Sequence, residues 1–102
     1  MQKMSNKISV YIPSTEENRA MVNRTLFLLS ELFGGATVID GQGSWISDSN
    51  ELVIEKLNIV YSYTDTLEDD RLFKVIDFAK EIKQEMKQEA ISVEINDSLY
   101  II

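Results

Sequence analysis

Hydrophobic positions along the chain change spacing four times, and each change marks an element. From Lys7 to Ile12, Ile8, Val10 and Ile12 alternate with Ser9 and Tyr11, as a half-buried strand requires. Pro13 stops that ladder, and Ser14 with Glu17 three residues later reads as a capping box opening a helix from Thr15 to Phe33. Val22, Thr25, Leu26, Leu29, Leu32 and Phe33 recur at the three-and-four spacing of one helical face, and Gly34 or Gly35 closes the helix. A second strand runs from Ala36 to Ile46, with a bend or bulge expected at Gly41 to Gly43. Ser47-Asp48-Ser49-Asn50 then turns the chain into a third strand, Leu52 to Tyr63. In its later half, Leu57, Ile59, Tyr61 and Tyr63 fall on one face and Asn58, Val60 and Ser62 on the other. Thr64-Asp65-Thr66 followed by Glu68, Asp69 and Asp70 starts a second helix, because acids near a helix N-terminus meet the positive end of its dipole. That helix is expected to reach Glu89 with Leu72, Val75, Ile76, Ala79, Ile82 and Met86 inward. Ala90 to Ile95 alternates again, Asn96-Asp97 turns, and Leu99 to Ile102 ends extended.

The order strand, helix, strand, strand, helix, strand, with right-handed crossovers, predicts a ferredoxin-like α+β two-layer sandwich. A four-stranded antiparallel sheet has strands one and three in the middle and two helices on one face. The whole chain, residues 1–102, reads as a single domain, with 1–6 expected to be a disordered N-terminal segment. The face without helices is expected to carry Ser9, Tyr11, Asn58, Val60, Ser62, Ser92 and Glu94. RNA-binding domains of this topology place stacked aromatics and cations there, so one tyrosine among polar residues argues against nucleic acid.

Composition narrows the chemistry further. The chain has no cysteine, which removes disulfides, thiolate metal sites and cysteine nucleophiles, and fits a reducing, cytoplasmic setting. It has no histidine, the side chain that most often serves as general base near neutral pH, and this lowers the expectation of an enzyme. No secretory signal and no apolar run of membrane-spanning length is evident. The net charge of −7 repels phosphate backbones and anionic membranes and favours a basic protein partner.

Two groups of residues are candidates for a site. Asp40, Gln42, Trp45 and Glu55 lie on strands two and three and are expected to meet across their hairpin, with a carboxylate as base, Gln42 as a positioning group and Trp45 as an apolar wall. Asp65, Glu68, Asp69 and Asp70 form an acidic surface at the second helix start. They lack the ordered spacing of a calcium loop, so no metal and no cofactor is expected.

The stretch around Trp45 carries a resemblance. Phe33, Gly35, Thr37, Val38, Asp40, Gly41, Gly43 and Trp45, then Glu55 and Gln88-Glu89-Ala90-Ile91-Ser92-Val93, resemble a bacterial domain family of unknown function with the motif G-x-T-V-x-D-G-x-G-x-W. The likeness covers residues 33–95. It implies an αβ sandwich and brings no activity with it.

These readings lead to the expectation of a small, acidic, non-catalytic interaction or inhibitor protein. Phages and mobile elements make such proteins, anti-CRISPR proteins that block basic nucleic-acid-handling partners among them. The alternative is a dimeric small-molecule-binding or enzymatic sandwich that uses the Asp40, Gln42, Trp45 and Glu55 region, the dimer forming through the open sheet face.

Overall fold

The structure is a computed structural model that describes residues 1–102. Its elements are β1 (Asn6–Pro13), α1 (Arg19–Phe33), β2 (Thr37–Ile46), β3 (Leu52–Thr64), α2 (Asp69–Glu85), β4 (Ser92–Ile95) and β5 (Ser98–Ile101). The sheet order is β2-β3-β1-β4-β5 with every neighbouring pair antiparallel. This is the ferredoxin-like α+β sandwich expected from the pattern, with β1 and β3 central. The extended C-terminus adds a fifth strand: Asn96 takes a left-handed conformation that lets β5 fold back on β4. The Asn96 side chain accepts from the Lys7 backbone at 2.9 Å and its own N–H donates to the Lys7 carbonyl at 2.8 Å, so the turn is fastened to β1.

The core lies between the sheet and the helices. Ile8, Val10, Ile12, Val60 and Val93 from the sheet meet Leu29 of α1 and Val75, Ala79 and Ile82 of α2, all fully buried. Those helix positions lie on the stripes read from the sequence, and burying each large aliphatic side chain contributes about 1.5–3 kcal/mol. Thr25 is also buried in α1, and its hydroxyl avoids a desolvation penalty by donating to the Met21 carbonyl at 2.7 Å.

The helix boundaries differ from the sequence reading. The Ser14–Glu17 capping box does not form, because the Ser14 N–H is taken by the Lys56 carbonyl at 2.8 Å, which continues the β1 edge past Pro13. α1 begins at Arg19 behind Asn18, whose side chain donates to the Pro13 carbonyl at 3.1 Å. At its far end Gly34 is left-handed, with φ 88°, and donates its N–H to the Ser30 carbonyl. α2 starts at Asp69 and stops at Glu85, shorter at both ends than expected; Asp69 and Asp70 still sit in its first turn, where the helix dipole favours them. Arg71 ties the two helices' ends together by donating to the carbonyls of Leu32 and Thr66 while lying over the Phe33 ring.

Two expectations about the sheet are corrected. β2 and β3 pair without interruption from Thr37–Tyr61 to Ile46–Leu52, so the glycines make no bulge. Instead Gly41 and Gly43 leave room for side chains lying across them: a Cβ at Gly41 would come within 3.3 Å of Ile59 and one at Gly43 within 3.4 Å of Leu57. The faces of β3 are also reversed. Register sets Val10 against Val60, Ile8 against Ser62 and Ile12 against Asn58, which turns Asn58, Val60 and Ser62 toward the helices. Ser62 is accommodated there by donating to the Gly35 carbonyl at 2.6 Å. Leu57, Ile59, Tyr61 and Tyr63 therefore share the open face with Ser9 and Tyr11.

The β2–β3 hairpin outruns its neighbours. β1 ends opposite Leu57, so residues 42–56 project as a two-stranded arm, and the molecule is elongated, 49 × 25 × 21 Å. Trp45, Ile46, Leu52 and Ile54 on this arm are all exposed.

Candidate functional site

Where α1 leaves β2 and β3 uncovered, the base of the arm and the β1–α1 connection enclose an open cleft. It consists of two adjoining hollows of about 500 and 510 Å3 that share Ser14, Asp40 and Lys56. Either lies within the range of small-molecule sites. The floor is the helix-side face of β2 and β3, where Asp40 pairs with Asn58 and Gln42 with Lys56. One wall is the Ser14–Glu16 segment, anchored by the Ser14 to Lys56 backbone bond; the other is the first turn of α1 with Arg19 and Val22. The cleft exists because Pro13 ends β1 while the hairpin continues, so no strand or helix fills the space above Asp40 and Lys56.

Its electrostatics are balanced in an acidic chain. Asp40 and Glu16 supply two carboxylates, Lys56 and Arg19 two cations, and Ser14, Thr15, Gln42 and Asn58 neutral donors and acceptors. The Asn58 amide donates to one Asp40 carboxylate oxygen at 2.9 Å and so fixes the carboxylate's orientation, while the second oxygen has no side-chain partner. Such a set can hold a zwitterion by both ends, each contact being a charge-assisted hydrogen bond.

The expected cluster of Asp40, Gln42, Trp45 and Glu55 is divided by the sheet. Asp40 and Gln42 face the cleft, whereas Glu55 pairs with Gly43 and Trp45 with Val53 on the opposite face. Glu55 lies half-buried in a smaller hollow of about 180 Å3 with Tyr11, Leu57 and Ser92. Trp45 is half-exposed near the arm's tip and walls no cavity. The acidic run Asp65, Glu68, Asp69 and Asp70 is solvent-exposed, and no three acidic side chains converge in a way that could hold a metal ion. The sequence reading missed Lys56, Asn58, Arg19 and the Ser14–Glu16 wall. Ser14 had been absorbed into a helix cap, and Asn58 and Lys56 become cleft residues only once the register is known.

The open face carries a different character from that expected. Tyr11, Tyr61 and Tyr63 lie on it, the last two edge to face at 5.8 Å between ring centres, with the Lys7 ammonium 4.6 Å from the Tyr61 ring centre. Burial, reinforced by the charge of Glu94, pushes the Tyr11 phenol above its ordinary range, so it stays protonated at neutral pH. Ser9, between these rings, is fully buried with its hydroxyl unpartnered.

No helix is long and apolar enough to cross a membrane. No family model matches the sequence, and no curated protein does. The fold, however, matches solved structures over its whole length. A phage SAM lyase in complex with S-methyl-5′-thioadenosine superposes with a TM-score of 0.71 at 19% identity, covering 100% of this chain and 94% of that one. The phage SAM lyase in its apo state gives 0.70 at 20% identity with the same coverage. This likeness corrects the expectation of a non-catalytic inhibitor of the anti-CRISPR kind, and with it the inference that a chain without histidine or cysteine is no enzyme. At this level of identity what it establishes is the fold, and that fold, end to end, is one an enzyme uses.

Proposed function

We propose that this chain is a lyase that binds S-adenosylmethionine and releases S-methyl-5′-thioadenosine. The observation that carries the reading is the full-length likeness to a SAM lyase holding that thioether. The charge-balanced cleft supports it: S-adenosylmethionine brings a carboxylate, an ammonium and a sulfonium, which Lys56 with Arg19 and Asp40 with Glu16 complement. A cytoplasmic setting, where this substrate is made and used, belongs to the same reading.

The chemistry also accounts for the missing histidine and cysteine. Cleavage breaks the bond between sulfur and Cγ of the methionyl group, with the electron pair staying on sulfur to give a neutral thioether. A lyase adds no water, so Cγ either gains a double bond by losing a Cβ proton to a base or is closed from within the substrate; in the second course, which needs no base, the methionyl carboxylate oxygen attacks Cγ and forms a lactone. No protein nucleophile and no proton transfer are needed. A sulfonium and a carboxylate neutralise each other on the way, so the transition state is less polar than the bound ground state. The protein's task is to fold the substrate so that oxygen and Cγ are in line, an entropic contribution. In this scheme Lys56 and Arg19 hold the carboxylate end near its reacting position, and Asp40, oriented by Asn58, holds the cationic groups.

Binding can be tested apart from turnover. S-methyl-5′-thioadenosine at about one hundred times its dissociation constant is expected to stabilise the fold by about 2.7 kcal/mol, read as a rise in thermal midpoint. A parallel titration of wild type, Lys56→Glu and Asp40→Lys with S-adenosylmethionine, which carries the carboxylate, ammonium and sulfonium that the thioether lacks, locates the site. A midpoint that does not move for wild type at millimolar thioether counts against the proposal.

A further inference from the structure

We infer that the helix-side face of the projecting arm, beyond the charged part of the cleft, is a purine subsite in which Leu52 and Ile54 take the flat of the ring and Gln42 reads its edge. The inference rests on the lyase reading and deepens it. Lys56, Arg19, Asp40 and Glu16 answer the amino-acid end of the substrate and its sulfonium, and none of them answers an adenine.

Pairing between β2 and β3 sets this face out as a row of rungs. Asp40 stands opposite Asn58, Gln42 opposite Lys56, Ser44 opposite Ile54 and Ile46 opposite Leu52. Successive rungs on one face are two residues apart, about 7 Å along the strand. The first two are polar and floor the cleft, whereas in the next two Ser44 is the single polar side chain among aliphatic ones. The ligand carries the same gradient, with its charges at one end, a ribose in the middle and an uncharged heterocycle at the other. The ribose separates sulfur from the base by a few bonds, about the step of one rung. With the amino-acid end toward Arg19, the base falls over Ile54 and Leu52.

Two observations mark the far end of the row as a binding surface. A hollow of about 200 Å3 lies there, lined by Gln42, Gly43, Ser44, Leu52 and Ile54, and it meets the cleft at Gln42. Its size is below that of a whole-ligand site, as a subsite for one ring requires. Ile46, Leu52 and Ile54 are 59% to 62% exposed on neighbouring rungs, and contiguous exposed apolar surface marks a site of binding. Trp45 lies on the opposite face, so the contact with the ring is aliphatic. Gln42 is exposed where the hollows join, and a glutamine amide can accept from the adenine amino group while donating to the neighbouring ring nitrogen. A hypoxanthine ring carries an oxygen in place of that amino group. It offers two acceptors and leaves the amide oxygen unpaired.

The test is calorimetric titration of the full chain with S-methyl-5′-thioadenosine and with its hypoxanthine counterpart, S-methyl-5′-thioinosine. Wild type is expected to prefer the adenine compound by about 10-fold or more, and Gln42→Leu to erase that preference. Ile54→Asp and Leu52→Asp, at exposed positions where no core packing is lost, are expected to weaken both compounds by about 10-fold or more while circular dichroism shows a cooperative melt. Phe73→Asp, on α2, which lines none of these hollows, is expected to leave affinity unchanged. In turnover the two arm variants raise KM for S-adenosylmethionine and leave kcat in place, because the base is held equally in ground and transition states. Wild type that binds neither compound, or both equally, overturns the inference, as does wild-type affinity in both Ile54→Asp and Leu52→Asp. The lyase reading survives that result wherever thioether is still released from S-adenosylmethionine. Wild type that binds the thioether with the expected preference yet releases none from S-adenosylmethionine removes the lyase reading and keeps the subsite.

Discussion

Asp40→Ala is expected to raise the KM for S-adenosylmethionine by about 10- to 100-fold, the range set by losing a charged hydrogen bond of about 1.5–3 kcal/mol. Asp40 is exposed on β2, so no core packing is lost, and its edge-strand backbone pairing with Asn58 stays in place. What goes is a carboxylate held by the Asn58 amide at 2.9 Å, the group assigned to the substrate's positive charge. Asp40→Asn separates charge from shape: it keeps the size and can still bond Asn58, yet it is expected to lose most of the same affinity. Asn58→Leu, which frees the carboxylate without removing it, is expected to lie between wild type and Asp40→Asn. The measurement is the initial rate of thioether release against substrate concentration, beside a thermal melt of each variant. Kinetics for Asp40→Ala that match wild type would remove this residue, and the cleft with it, from the account.

Leu29→Ala carries the largest expected loss of stability, about 2.7–5 kcal/mol. Leu29 is fully buried on the inner face of α1, in the same cluster as Val10, Val60 and Val75, so its loss leaves a cavity in a close-packed layer. For a domain of this size each kcal/mol lowers the midpoint by about 4–8 °C, so a fall of at least about 10 °C is expected in a thermal melt. The cleft depends on the same helix, since Arg19 and Val22 on its first turn form one wall. Ligand affinity should therefore fall with stability in Leu29→Ala, but not in Phe27→Ala two residues away, whose side chain is 68% exposed. A loss below about 1 kcal/mol at Leu29 would mean that α1 does not dock as described.

Periodicity made the fold legible because most elements bury one face and leave the other wet. Ile8, Val10 and Ile12 alternate cleanly, and Thr25, Leu29, Val75, Ala79 and Ile82 fall on helical stripes, so the layers follow directly. β3 is the exception. Leu57, Ile59, Tyr61 and Tyr63 are more apolar as a set than Asn58, Val60 and Ser62, yet the register with β1 buries the second set. An apolar open face defeats a rule that equates the apolar side of a strand with the core. The site shows the opposite case, a fact available in the sequence and not used. Asp40 and Trp45 are five residues apart on one strand, and positions an odd number apart face opposite ways. Asp40 and Trp45 therefore could not share a site in a regular strand, and β2 pairs regularly through Gly41 to Gly43, so the hairpin expected to join them sets them on opposite faces. Lys56, Asn58 and Arg19 have no motif spacing at all; β1 stopping short at Pro13 brings them to one cleft. The proposed activity has a chemical reason to leave no trace in the sequence, since a reaction completed within its substrate leaves no nucleophile or base for a motif search to find.

The most direct test of the account is product analysis. Purified chain incubated with S-adenosylmethionine and followed by mass spectrometry is predicted to give S-methyl-5′-thioadenosine and homoserine lactone in equal amounts, far above a protein-free control. Thioether formation no faster than in that control would contradict the proposed activity, and direct hydrolysis to homoserine without a lactone would contradict the closure of Cγ by the substrate's own carboxylate.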